Sequence, residues 1–331
     1  MWSTAAICLL MASTSVANDI NAPLLAARNA AMERSVTRFE IAGERRVGTF
    51  PLQLSGDENT TMNWSILSSV PPEFGSAHPF ISERDFTTGT LYYCSDANSD
   101  TWQEYHASQG KCVLFHHNLN PGFPTVMLKE GLFDQCRDDA SPARWDLRWL
   151  KPINGASISE ALLQTQDEAT TVLWPGEERF RVNSVKGVAG KRIVDVSLVY
   201  LHTWHKTLNR HEKVSVEGYR LLLAEAHEFM PIVLCHTSPI FTDKKRGKII
   251  DGLVTTVLTY EDFRNVDGIP VPHVLNAYST PFRGTVTTVR TELLNLKLNK
   301  LAKVRDQFEI PVGAWVVDTI QGKSYRQGKQ E

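Results

Sequence analysis

"TYEDFRNVDGIPVPHVLNAY", Thr259–Tyr278, reads as strand, tight turn, strand. Asp267-Gly268 suits the two central positions of a two-residue hairpin turn, both of which want φ > 0. The returning strand opens with Pro270 and Pro272, which cannot donate to a β-ladder. Residues two apart in an antiparallel strand turn their backbone groups toward the same neighbour. Both prolines therefore delete donors on one side and leave the other ladder whole. That pattern predicts a bulge, a sheet edge or the rim of an open barrel. No nucleophile or acid–base pair sits beside the turn, which argues against a catalytic loop.

Working outward, the strand signal continues. In "RIVDVSLVY", period-two spacing puts Val194, Val196, Leu198 and Tyr200 on one face, with Asp195 and Ser197 on the other. "EGYRLLLAEAHEFMPIVLC" groups Tyr219, Leu221 and Leu223, then breaks at Pro231 as a strand, turn, strand would. "DGLVTTVLTY", "GTVTTVRTELLNLKL" and "FEIPVGAWVVD" extend the series. Consecutive strands with short turns and no alternating helices mean an antiparallel sheet.

The first half has the same character after one helix. "APLLAARNAAMER" predicts a helix from about Ala22 to Arg34, capped by Asn21 with Pro23 in its first turn. "RFEIAG", "NWSILSS", "GTLYYC", "TWQEYHAS", "KCVLFHH" and "TVMLK" are short and rich in β-branched or aromatic residues. Residues 137–165 form a looser middle, where Ser157–Thr165 reads as a short helix with Ile158, Ala161 and Leu162 on one face. The expected class is α+β, mainly β: a large curved antiparallel sheet, an incomplete barrel, with a few helices over its concave face.

Composition bounds the function. The chain has 331 residues with a formal net charge of -2, which leaves no electrostatic footprint for nucleic acid. The basic cluster Lys244–Lys248 reads as a solvated hairpin loop. Residues 1–17 read as a signal peptide: an apolar run from Ala5 to Ala12, then Ser15-Val16-Ala17, with cleavage before Asn18. The run is too short to span a bilayer, and no later segment approaches that length. The expectation is an exported periplasmic or extracellular protein with no transmembrane span, its residues 18–331 forming a single domain.

Export leaves Cys94, Cys112, Cys136 and Cys235, which allow two disulfides in three connectivities, or buried thiols. A three-strand meander would hold Cys94 and Cys112 ~20 Å apart, against the about 7 Å a disulfide needs.

Familiar catalytic signatures are absent: G-x-S-x-G, H-E-x-x-H, a Walker loop, G-x-G-x-x-G and zinc-spaced cysteines do not occur. His202, His205 and His211 are the best metal candidates, but His202 and His205 would diverge on a strand, so they read as surface histidines. His116-His117 diverge likewise, and His227 has no partner in the sequence. No catalytic residue, metal or cofactor is expected.

The second half carries a resemblance. "VLTYEDFRNVDGIPVPHVLNAY" holds an aromatic-acidic strand meeting a DG-x-x-x-P turn. The closing segment holds F-x-x-P-x-G-x-x-V-x-D and then G-K-x-Y. Over Lys191–Arg326 the chain resembles exported bacterial proteins of the LolA-like superfamily, the outer-membrane lipoprotein-sorting type. The resemblance implies a half-barrel over an apolar cavity, and as cargo a lipid, lipoprotein acyl chains or another apolar ligand, with envelope partner proteins. The chain is much longer than the carrier proper, and none of its positions aligns with the carrier's lid-locking arginine. Val194, Val196, Leu198, Tyr200, Tyr219, Leu221 and Leu223 are the expected cavity wall. Two other readings stay open: a structural envelope protein with a filled core, and a secreted hydrolase whose site is assembled from distant residues.

Overall fold

The computed structural model describes residues 20–51, 73–95, 103–108, 111–116, 125–130, 149–150, 158–159, 180–188, 190–204, 213–243, 248–279, 285–300, 303–304 and 310–328. Among the described residues, the helix α1 (Ala22–Ser35) precedes sixteen strands. The first half holds β1 (Arg38–Pro51), β2 (Glu73–Phe74), β3 (His78–Asp85), β4 (Thr90–Ser95), β5 (Gln103–Ser108), β6 (Lys111–His116) and β7 (Thr125–Glu130). The second holds β8 (Phe180–Val188), β9 (Lys191–Trp204), β10 (Lys213–Ala224), β11 (Met230–Asp243), β12 (Lys248–Val266), β13 (Ile269–Ser279) and β14 (Thr285–Leu298). β15 (Trp315–Asp318) and β16 (Lys323–Arg326) close the chain.

These strands form a single sheet in the order β16-β15-β7-β6-β5-β4-β3-β1-β14-β13-β12-β11-β10-β9-β8, with β2 on the side of β1. It ends at β8 and β16 and is not closed into a barrel. Every pairing is antiparallel except β15 on β7. β1 is the joint: it pairs with β3 on one side and β14 on the other, and so fuses two meanders. Opposite Ala42 and Gly43, β14 carries a bulge with Leu294 as the extra residue, and Gly43 permits a close approach there: a Cβ on it would stand 2.5 Å from the Glu292 backbone oxygen and 2.7 Å from the Phe80 ring.

α1 forms as its sequence predicts. Asn21 accepts a hydrogen bond from the Leu24 amide, and Pro23 sits in the first turn. Leu25, Ala26, Asn29 and Met32 make its buried face. That face joins Phe39, Ile41, Trp149, Ile158 and the inner side chains of β8–β14 in one core.

Three differences have local causes. The break after β10 comes at a 3-10 turn, Glu225–His227, and at Glu228 and Phe229 with φ 54° and 61°; Pro231 lies inside β11. A proline is tolerated there because it is the second residue of the strand, next to a β11 bulge in which Ile232 is the extra residue. β3 and β8 were not expected, because the buried Ser82, Glu83, Arg84 and Asp85, and the polar Asn183 and Ser184, blur the period-two signal. β9 also runs on to Trp204, so His202 belongs to a strand. "NWSILSS", most of Ser157–Thr165, residues 1–17 and the loop 244–247 lie outside the described residues, although Ile158 and Ser159 are helical and buried.

Candidate functional site

The two prolines after the Asp267-Gly268 turn have a geometric explanation. Asp267 and Gly268 take φ 52° and 88°, and Val266 pairs with Ile269 around them. A two-residue turn makes that flanking pair the hydrogen-bonded one, so the nitrogens of Pro270 and Pro272 turn away from β12. On that side β13 meets β14 only from Val274 onward, opposite Glu292. The prolines therefore stand at a rim where β13 splays from β14.

Inside the sheet, register aligns six of the residues expected to form a wall. Tyr219, Leu221 and Leu223 of β10 stand opposite Leu198, Val196 and Val194 of β9. On the outer side of β9, Phe180, Val182 and Val185 of β8 meet the same three residues. One row then continues across the sheet: Val182, Val196, Leu221, Leu234, Leu258, Ala277 and Val289, one from each strand of β8 to β14. Seven strands at about 4.8 Å spacing make this row roughly 29 Å wide. α1 is about 10–12 Å across.

Tyr200 stands at an irregularity of the ladder. β9 and β10 slip between Glu217↔Leu201 and Gly218↔Val199, which leaves Tyr200 at a bulge with no opposite residue. Its side chain lies outside the described residues, as do those of His202, His205, His211, His116 and His117.

Polar contacts on the opposite face hold this register. Arg220 donates from Nε and Nη2 to the two oxygens of Asp195, at 3.0 and 2.6 Å. Asn183, the extra residue of the β8 bulge, donates to Asp195 at 2.9 Å and to Ser197 at 2.8 Å. A slip of one residue would bury these groups and expose the aliphatic row.

The rim near the 3-10 turn has its own chemistry. Arg192 forks onto Glu225 and holds its carboxyl below the usual range. His227 stacks flat on Phe263, with ring centroids 3.9 Å apart, and burial pushes its imidazole pKa down. His273 is buried in β13, beside Val271 O, and burial lowers its pKa too.

One organising residue escaped sequence reasoning. Asn299 follows β14 with φ 56°. Its Oδ1 accepts from Thr37 N, Thr37 Oγ1 and Arg38 N, and its Nδ2 donates to Ser35 O at 2.7 Å. It ties the end of α1 to the start of β1; Asn after a strand is the only local signal for this, and it does not name a partner.

Cys94 and Cys235 are buried thiols in separate apolar clusters. Cys94 stands opposite Glu104, while Cys112 stands opposite Ala107. Two strand spacings and three residues put them about 14 Å apart, too far for a disulfide. Among the described residues no three His, Cys, Asp or Glu side chains are grouped to hold a metal ion. Among the described residues no helix is long and apolar enough to cross a membrane.

Comparison with known proteins gives structural likeness only. No family model matches the sequence, and no curated protein does. The chain is similar to a LolA superfamily protein from Nitrosomonas europaea at 10% identity and TM-score 0.40, covering 85% of this chain and 95% of that one. It is similar to a DUF1329 family protein from Desulfovibrio piger at 12% identity and TM-score 0.43, covering 86% and 97%. It is also similar to the lipoprotein LppX of Mycobacterium tuberculosis at 9% identity and TM-score 0.26, covering 86% and 100%. At these TM-scores the likeness carries no functional argument.

Proposed function

We propose that this protein is an exported, non-enzymatic binding protein for an apolar ligand, a lipid or a lipoprotein acyl chain, held against the inner face of β8–β14. In this reading residues 1–17 are a signal peptide and residues 18–331 one half-barrel domain. The observation that carries it is the continuous aliphatic row from Val182 to Val289, which crosses all seven strands. A row of Val, Leu and Ala offers burial and no proton chemistry. Each methylene moved from water onto such a face contributes about 0.8 kcal/mol, so a long acyl chain would be held without a polar anchor.

A filled structural core is the second reading. It is favoured by the low exposure of the row, where Val196, Leu221, Leu234 and Ala277 are each 2% exposed or less. Titrating the mature protein with a fluorescent fatty acid separates the two. Saturable binding, displaced by unlabelled fatty acid, is expected; its absence leaves the structural reading.

A further inference from the structure

The inner face of the sheet changes character at β1. Alternation along that strand puts Phe39, Ile41, Gly43, Arg45 and Val47 on one side. Phe39 and Ile41 lie in the core with the inner side chains of β8–β14, which makes that side the inner one. Val47 stands opposite Val289 and so adds an eighth strand to the aliphatic row. Exposure rises there: Ala277 is 2% exposed, Val289 is half-buried and Val47 is 43% exposed. The row therefore meets solvent at β1.

Arg45 is the inner residue next to Val47, and it is half-buried. It stands between Thr291 of β14 and His78 of β3. Val289, Leu293 and Phe80, the inward neighbours on those two strands, carry no charge. The acids nearby in the ladder alternate with these residues and turn to the outer face, where they are taken up. Glu44 pairs with Arg46 at 3.4 Å, and Glu292 with Arg290 at 2.7 Å. Among the described residues no side chain makes an ion pair or hydrogen bond with Arg45.

A guanidinium stays charged at any ordinary pH, and its planar fork matches a carboxylate. One such cation at the mouth of an apolar row is complementary to a long alkyl chain that ends in one anionic head. We propose that Arg45 anchors the carboxylate of a long-chain fatty acid whose chain lies along the row. The row holds the chain by burial, and Arg45 selects the head. This rests on the apolar-ligand reading and narrows it to one class of ligand.

The test is displacement of the neutral dye N-phenylnaphthylamine from the full mature chain by oleate, by oleyl alcohol and by oleoyl lysophosphatidylglycerol. Wild type is expected to bind oleate about tenfold more tightly than oleyl alcohol, because a hydrogen bond between ionised partners is stronger than one to a neutral hydroxyl. That comparison needs no variant. Arg45→Gln is expected to weaken oleate about tenfold and oleyl alcohol little, while Arg45→Lys, which keeps the charge without the fork, falls between. Equal affinity of wild type for oleate and the alcohol overturns the proposal and leaves apolar binding standing; Arg45 then only reaches past the row to water. An undiminished preference for oleate in Arg45→Gln, with an unchanged thermal melt, also overturns it. Tighter binding of lysophosphatidylglycerol than of oleate, lost in Arg45→Gln, would assign a phosphate head and overturn the carboxylate. No binding of the dye or of any of the three lipids removes the apolar-ligand reading and this proposal with it.

Discussion

Val196 and Leu221 stand directly opposite one another on β9 and β10, each 2% exposed. Leu221 has Leu234 on its other side, and Val196 has Val182. The contact is a link in a row that crosses seven strands, and what occupies the space above that row decides the function.

Leu198 provides the paired measurement. It lies one pair along from Val196, between Phe180 and Tyr219, and is 3% exposed. In a ligand-binding protein, Leu198→Trp takes volume that ligand would fill: the thermal midpoint changes little and fatty-acid uptake falls. In a filled core the same change overpacks and costs about 1–3 kcal/mol, with no uptake to lose. A strongly destabilised variant of a non-binding wild type rejects the proposed function.

The hairpin turn gives a contrast within five residues. A Cβ on Gly268 would meet nothing within 4 Å, so only its φ of 88° opposes a side chain. Gly268→Val is expected to cost about 1–3 kcal/mol, and Gly268→Asn less, because Asn tolerates positive φ. Pro270→Ala is expected to be much milder, since the nitrogen there faces away from β12 and needs no donor. Equal losses in denaturant melts would contradict the rim geometry.

The rim histidines set a pH dependence. Burial lowers the pKa of both His227 and His273 from the ordinary 6.5. Each imidazole then binds fewer protons folded than unfolded, so its contribution is complete above about pH 6.5 and is lost as pH falls from there toward the lowered value. Denaturant midpoints should drop between pH 7.5 and about pH 5, and His227→Phe, which keeps a ring on Phe263, should reduce that drop. An unchanged slope would mean that His227 is not held neutral in the fold.

Asn299 is expected to matter more than its exposure suggests. Asn299→Ala removes an acceptor shared by three donors and a donor to Ser35 O, and should cost about 1–2 kcal/mol. Asn299→Gly relieves the backbone at φ 56° yet still loses those bonds, so it should not restore stability. Asn299→Asp keeps the acceptor and should fall between wild type and Ala. Recovery by Gly in thermal melts would place the role in the backbone alone.

Much of this architecture is written locally. Asn21 and Pro23 start α1, Asp267-Gly268 turns β12 into β13, and the spacing of Val194, Val196 and Leu198 selects a face, because caps, turns and period-two alternation depend on neighbours a few residues apart. What only the tertiary structure decided is register. Nothing near Val182 or Val289 says that they end one aliphatic row, nothing near Arg38 says that β1 joins two meanders, and nothing near Trp315 says that β15 lies parallel to β7. Tyr200 marks the boundary between the two kinds of information. Its spacing groups it with Val194, Val196 and Leu198, while the irregular pairing beside it, formed with Glu217 and Gly218 seventeen and eighteen positions away, belongs to the ladder alone.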